Sequence, residues 1–354
     1  MLLSSRFHAV TWLCWAVAAA ATVQLAPSPV YVVLVIAIAA LVVEVHRLDT
    51  ALARAFPALV ALGVIFALLR VVLTGLTTHG VGDVAFTLPE GTLPRILGGF
   101  TVGGSVEWPV VLQSAAEGLA IVGVLAVFGA FNAVVSHYEL VQATPRAFHE
   151  PGLAVTVALA FVPSTMLAVQ QARDADRARA GGVPPRRGRL VRRAVPVLES
   201  GMERAVHLAE SMDSRGFART RAGRPERVAG WLGVLSLLAL GGSFVALVGR
   251  ARPTAVALAL VGVAALVGAV VSASRGSRLR RYRPRRMTSL DWWLAAVVAV
   301  APAGVGLFAL LDAGDLTWTA QPLEFPSFVP GVGLVIAILA APALVRPMHV
   351  AERP

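Results

Sequence analysis

The chain has 354 residues, 57% of them hydrophobic and only 14% charged, and apolar stretches of membrane-spanning length recur along it. Such a surface needs lipid as its solvent, which argues against a soluble domain. The formal net charge is +11 and all 31 basic residues are arginine. Codon bias explains the choice of arginine more simply than a binding preference, and the positive-inside rule and anionic headgroups explain its placement beside apolar stretches. No nucleic-acid-binding motif is present, so no nucleic-acid partner is expected.

In chain order, the apolar stretches fall at 8–24, 30–45, 57–76, 109–136, 228–249, 253–273, 290–312 and 329–345, with an ambiguous one at 151–169. The first follows Arg6 and reads as a retained span, because no small-residue cleavage site leads into a soluble domain. Cys14, the lone cysteine, lies within it and offers neither a disulfide nor metal-site spacing. The charged segments His46 to Arg54, Arg173 to Arg227 and Arg275 to Arg286 are all expected on the cytoplasmic side. With the N-terminus inside, four spans return the chain to the cytoplasm near His137. The stretch 151–169 must then not cross, and an interfacial helix is expected there, with Pro163, Thr156, Ser164 and Thr165 packed at the membrane surface. Four further spans place the C-terminal tail inside. Residues 77–108 form an external glycine-rich loop with turn signals at Leu88-Pro89, Gly98-Gly99 and Gly103-Gly104, read as a packed lid or short hairpin.

Residues 170–227 carry fourteen arginines against seven acids. Within them Leu198, Met202, Ala205, Ala209 and Met212 recur at intervals of three and four, opposite Glu199, Glu203, Arg204, His207 and Glu210, which predicts an amphipathic helix over 196–215. It runs into Ser211-Met212-Asp213-Ser214-Arg215-Gly216-Phe217, where Gly216 is a helix stop and Arg215 sits in the last turn, near the negative end of the dipole. A preceding pattern ends alike, in Ala178-Arg179-Ala180 followed by Gly181-Gly182 and Pro184-Pro185. Two cytoplasmic helices that each end in a small-Arg-small tripeptide suggest a two-pronged docking device, because a planar guanidinium forks onto carboxylates.

At these residues the chain resembles the transmembrane T component of energy-coupling factor (ECF) transporters, of the EcfT and CbiQ type. The layout is similar from residue 8 to about 227, and the specific motif is Ser211 to Phe217. The external stretch 97–107, with Leu97-Gly98-Gly99 and Glu107, looks like some members. The resemblance implies an all-α integral membrane protein with about eight transmembrane helices and a cytoplasmic helical coupling segment in the middle. Its parts would be membrane helices over 1–136, coupling helices over 137–227 and membrane helices over 228–354. It further implies a non-enzymatic coupling subunit in a bacterial plasma membrane, without cofactor or metal. Two ABC-type ATPase subunits would dock on Ala178, Arg179, Ala180, Ser214, Arg215 and Gly216. A membrane substrate-capture (S) subunit would contact Leu198, Met202, Ala205 and Met212 and bring in a vitamin or metal ion. Ala180 stands where a glycine is usual, and Arg173 is a rival for the first docking arginine. The family's His-Arg-Leu-Asp start stands here as His46-Arg47-Leu48-Asp49, after two apolar stretches, and 253–345 extends beyond the family core.

Two other readings compete. A metal-dependent lipid or prenyl transferase would use Asp174 and Asp176 on a diphosphate, but residues at i and i+2 do not share a helical face and the neighbouring arginines would pair with them. A chain that binds or conducts its substrate alone would need ionisable residues within spans. Arg70 and Glu117 are the candidates. The seven histidines are dispersed without ligand spacing, so no metal site is expected. With no lysine and no Gly-x-x-x-x-Gly-Lys-Ser/Thr loop, the chain is not a Walker-type ATPase.

Overall fold

The computed structural model describes residues 7–46, 55–78, 80, 82–92, 101–143, 149–179, 181, 188–216, 224–249, 251–276 and 286–345. It is predominantly helical, and seven helices among the described residues are long and apolar enough to cross a membrane. The chain is a multi-pass helical membrane protein on that ground. It divides into two units, residues 1–143 with 285–354, and residues 144–284.

The first unit begins with α1 (Ala9–Leu25), α2 (Pro29–His46) and α3 (Ala55–Thr77). A hairpin of β1 (Val84–Thr92) and β2 (Thr101–Glu107) leads into α4 (Trp108–Val134) and the short α5 (His137–Ala143). The unit resumes with α10 (Ser289–Leu310), α11 (Pro330–Ala337), a single 3₁₀ turn at Ile338–Ala340 and α12 (Ala341–Leu344). The apolar stretch 329–345 is therefore broken rather than one helix, at a turn that leaves Leu339 buried. The segment expected to be an external loop holds an antiparallel pair, β1 with β2, the only sheet among the described residues. Its register shifts between Leu88 and Gly91, where Pro89 interrupts β1. Gly103, at φ 97°, faces this bulge, and a Cβ there would sit 2.1 Å from the Pro89 carbonyl oxygen, so only glycine fits.

Local chemistry explains where these helices start. α10 opens on a capping box in which the Asp291 backbone N–H donates to the Thr288 hydroxyl (3.3 Å) and the Thr288 N–H donates to the Asp291 carboxylate (2.8 Å). α4 has Pro109 in its first turn, where a missing N–H costs nothing.

Long-range bonds then fix which ends lie together. Asp291 also accepts from the His8 backbone N–H (2.8 Å), so α1 and α10 begin at the same end of the unit. His46, at the end of α2, is buried against the Phe7 and Trp12 rings and lies 2.8 Å from the Pro342 carbonyl oxygen. The Trp15 indole donates to the Leu339 carbonyl (2.8 Å). We call this the proximal end. At the distal end the Tyr31 hydroxyl donates to the Gly314 carbonyl (3.2 Å) and accepts from the Val329 N–H (3.0 Å), while the Ser28 N–H donates to Leu316 (3.0 Å). α3 and α4 run antiparallel, with Gly129 beside Phe56 and Gly118 beside Ala67. The hairpin and the loop 311–329 are distal, and α5 is proximal.

Lipid tails are as apolar as leucine, so helices in a membrane associate through close packing and hydrogen bonds rather than through the hydrophobic effect. The α3–α4 seam shows this. A Cβ on Gly118 would lie 2.9 Å from that of Ala67, and one on Gly63 would lie 3.0 Å from the Val122 Cα.

The second unit holds α6 (His149–Arg179), α7 (Arg189–Ser214), α8 (Arg224–Val248) and α9 (Arg252–Gly276). α8 and α9 form a tight pair, in which Ser243 donates its hydroxyl to the Ala255 carbonyl (2.8 Å). Two boundaries differ from those read in the sequence. The stretch 151–169 and the first arginine pattern are one continuous 31-residue helix with Pro163 inside it, because no glycine or helix stop separates them. α7 begins at Arg189, seven residues before the predicted start, after Gly188 in the left-handed conformation (φ 72°).

Replacing Gly118 with leucine should force α3 and α4 apart and cost about 1–3 kcal/mol through overpacking. Thermal unfolding in detergent checks this: a lower Tm than wild type is expected, and an unchanged Tm would contradict the close-packed seam.

Candidate functional site

α6 loses its apolar character at Gln170, and its last ten residues carry Arg173, Asp174, Asp176, Arg177 and Arg179. The helix stops at Arg179, and Gly181 follows at φ 62°, with its N–H toward the Ala178 carbonyl (3.5 Å). α7 ends in the same way. Arg215 is its C-cap, Gly216 has φ 74°, and the N–H groups of Arg215 and Gly216 donate to the carbonyls of Met212 (3.2 Å) and Asp213 (2.8 Å). Left-handed glycines thus satisfy the final carbonyls of both helices. Ser214 turns its hydroxyl back onto the Ser211 carbonyl (2.9 Å).

The two arginines of interest are left projecting. Ala178, Arg179, Ser214, Arg215 and Gly216 are all exposed, and neither Arg179 nor Arg215 forms an ion pair with any described residue. Arg173 is exposed too, but lies almost two turns inside α6 rather than at its end. Ala180 and Phe217 lie outside the described residues, as do Arg47 to Asp49 and the residues 97–100. Arg179 lines the same cavity as Val191, Arg192 and Val195 near the start of α7, whereas Arg215 is at the far end of that helix. At 1.5 Å per residue, roughly 30–35 Å of α7 lie between that cavity and Arg215.

Asp176 and Asp174 do not converge. Asp174 is exposed and pairs with Arg177 on its own helix (3.6 Å). Asp176, only 8% exposed, accepts from the Nε of Arg192 (3.0 Å) and of Arg193 (3.1 Å) on α7. Hydrogen bonds from Arg192 first, then from Arg193, and the positive charge of both hold its carboxyl below the ordinary aspartate range, against an opposing effect of burial. A cavity of 740 Å³ adjoins this pair, walled by Ala168, Ala172 and Ala175 of α6 and by Val195 and Ser200 of α7. A diphosphate site would need both aspartates free to bind metal together, and no group of three metal-ligating side chains occurs among the described residues.

The apolar face of α7 has no cover from the described residues of its unit. Leu198 is 63% and Met202 69% exposed, Ala205 is exposed, and Met212 is half-buried. Val191, Val195 and Val206 extend the same stripe.

In the first unit the structure joins two residues that the sequence presented separately. Arg70 of α3 donates from Nη2 to Glu117 of α4, whose other carboxylate oxygen accepts from the Gln113 amide (3.0 Å). Gln113 also accepts the Ala320 N–H (3.1 Å). This pair ties two antiparallel helices to the distal loop. The signal was one ionisable residue in each of two neighbouring apolar stretches.

No protein-family model matches the chain, and no curated protein matches it significantly.

The lowered value at Asp176 sets a pH dependence for the α6–α7 contact. Its contribution is complete above the ordinary aspartate value of 3.8 and is lost as pH falls through the lower value in the folded protein. Exchange protection of amides 174–179, corrected for intrinsic rates, should hold from neutral pH down to about pH 4 and fall below it. Protection that is flat across that range would contradict the pairing.

Proposed function

We propose that the chain is the non-enzymatic transmembrane coupling subunit of an ECF-type importer. In this reading two ABC-type ATPase subunits dock on the arginine ends of α6 and α7. Their ATP-driven movement passes through these helices to a membrane substrate-capture subunit, which takes up a vitamin or a metal ion. The observation that carries the proposal is a pair of exposed arginines, Arg179 and Arg215, neither of which is ion-paired among the described residues. Each lies at a helix end closed by a left-handed glycine, and α7 separates them by most of its length. A guanidinium so placed reaches a carboxylate pocket on a partner with two parallel hydrogen bonds. The separation suits two partner molecules side by side better than one pocket.

Topology supports the same reading. Unit 1 releases the chain after α5 at its proximal end and takes it back at Thr288, also proximal. An even number of crossings must therefore lie between. α8 and α9 supply two, and α7, with eight formally charged residues, would cost on the order of 20 kcal/mol to bury in hydrocarbon. α6 then does not cross, although it is long and apolar enough to do so. The arginine segment shares one side with the proximal end, and the positive-inside rule makes that side cytoplasmic in a bacterial plasma membrane. The uncovered stripe through Leu198, Met202, Ala205 and Met212 is the contact for the capture subunit, next to the lipid bilayer.

Affinity purification in mild detergent tests the proposal. The wild type should bring down a pair of ABC-type ATPases with measurable ATPase activity. Arg215→Ala and Arg179→Ala should each cost about 2–5 kcal/mol at the docking site, a loss of at least about thirty-fold in affinity. A wild-type preparation that carries no ATPase under these conditions would overturn the reading.

A further inference from the structure

Asp176 holds a position that neither the apolar pattern nor the docking motif accounts for. It is a carboxylate almost closed to solvent, and its partners are consecutive residues of the neighbouring helix, Arg192 and Arg193, each donating from Nε. Beside this contact α6 and α7 border a cavity of about 740 Å³, walled by Ala168, Ala172 and Ala175 of α6 and by Val191, Val195 and Pro196 of α7, so apolar packing does not fill the seam around Asp176. A single acceptor that bridges two cations across this seam is the strongest directional contact there. Asp176 lies three residues before Arg179, on the turn that ends at the docking tip.

We propose that Asp176 is a positioning residue. It pins the end of α6 to the first turn of α7 and so makes α6 and α7 one rigid lever, with Arg179 and Arg215 held at a fixed separation. The proposal rests on the coupling reading for its purpose, but its geometry stands alone. Displacement at one arginine end is then transmitted to the other. Without the pin, each helix end follows its own partner and ATP hydrolysis is not converted into motion of the membrane unit.

Distances measured between spin labels test this on the full-length protein. Cysteines at the exposed positions Gln170→Cys on α6 and Glu203→Cys on α7 are introduced with Cys14→Ala. The expected result is one narrow distance distribution with Asp176 present and loss of that single distance in Asp176→Asn. Asp176→Glu, which keeps the charge, restores it. Arg192→Gln with Arg193→Gln breaks the same contact from the other side and should broaden the distribution equally, with no further change when Asp176→Asn is added. This pair also decides the matter if Asp176→Asn alone does not fold. A narrow, unchanged distribution in either set overturns the proposal. Where ATPases co-purify, Asp176→Asn should retain them, since both docking arginines remain, but lose coupled uptake. Loss of the ATPases themselves would instead make Asp176 part of the docking surface and overturn its role as a pin. If the wild type brings down no ATPase, the coupling reading fails while the distance comparison still decides whether the lever is rigid.

Discussion

Hydrocarbon cannot solvate a charge or an open backbone, and the arrangement of this chain is set by that constraint. Every crossing must be a helix that satisfies its own hydrogen bonds, and charged segments must stay at the surface. The bonds that place Asp291 against His8, and His46 against Pro342, gather four helix ends at one end of the first unit. Once those ends are together, the number of crossings elsewhere is no longer free. In the proposed topology α6, although apolar enough to cross, stays at the surface, because the charged α7 and the paired α8 and α9 that follow it already fix the number of crossings. Hydropathy by itself would place α6 in the bilayer, and the proposal sets parity against it.

Within the first unit, specific polar contacts hold together what the hydrophobic effect cannot order in lipid. The Trp15 indole on the Leu339 carbonyl, the Tyr31 hydroxyl between Gly314 and Val329, and the Asp291 carboxylate at the start of α1 all join the N-terminal helices to the C-terminal ones. Close approach does the rest, as between Gly118 and Ala67. The second unit is built differently. α8 and α9 pack tightly, whereas α6 and α7 meet at a seam with one buried carboxylate and leave an apolar stripe uncovered.

Much of this was legible in the sequence where the signal is local. The apolar run 57–76 is α3 over 55–77, and the glycine after Arg215 adopts the left-handed conformation expected of a helix stop, φ 74°. The periodicity of Leu198, Met202 and Ala205 does mark one face of α7. Contacts between distant residues were not legible. Nothing near Asp291 in the sequence points to His8, 283 residues away, and Arg70 and Glu117 stood out only as lone ionisable residues in apolar stretches, not as partners. Asp176 read as one of two acids among arginines of its own helix, and its partners proved to be on the next one. The continuity of α6 was obscured by a change of composition at Gln170, which alters what the helix faces without giving the backbone a reason to stop.

Side-specific labelling of two single cysteines, in a Cys14→Ala background, tests the central claim most directly. Ser211→Cys lies near the end of α7, and Phe325→Cys, at a residue 99% exposed, lies in the distal loop. With a membrane-impermeant maleimide, Ser211→Cys should label only from the cytoplasmic face and Phe325→Cys only from the opposite one. If both label from the same face, α6 crosses the membrane, and the shared side of the arginine segment and the proximal end is wrong.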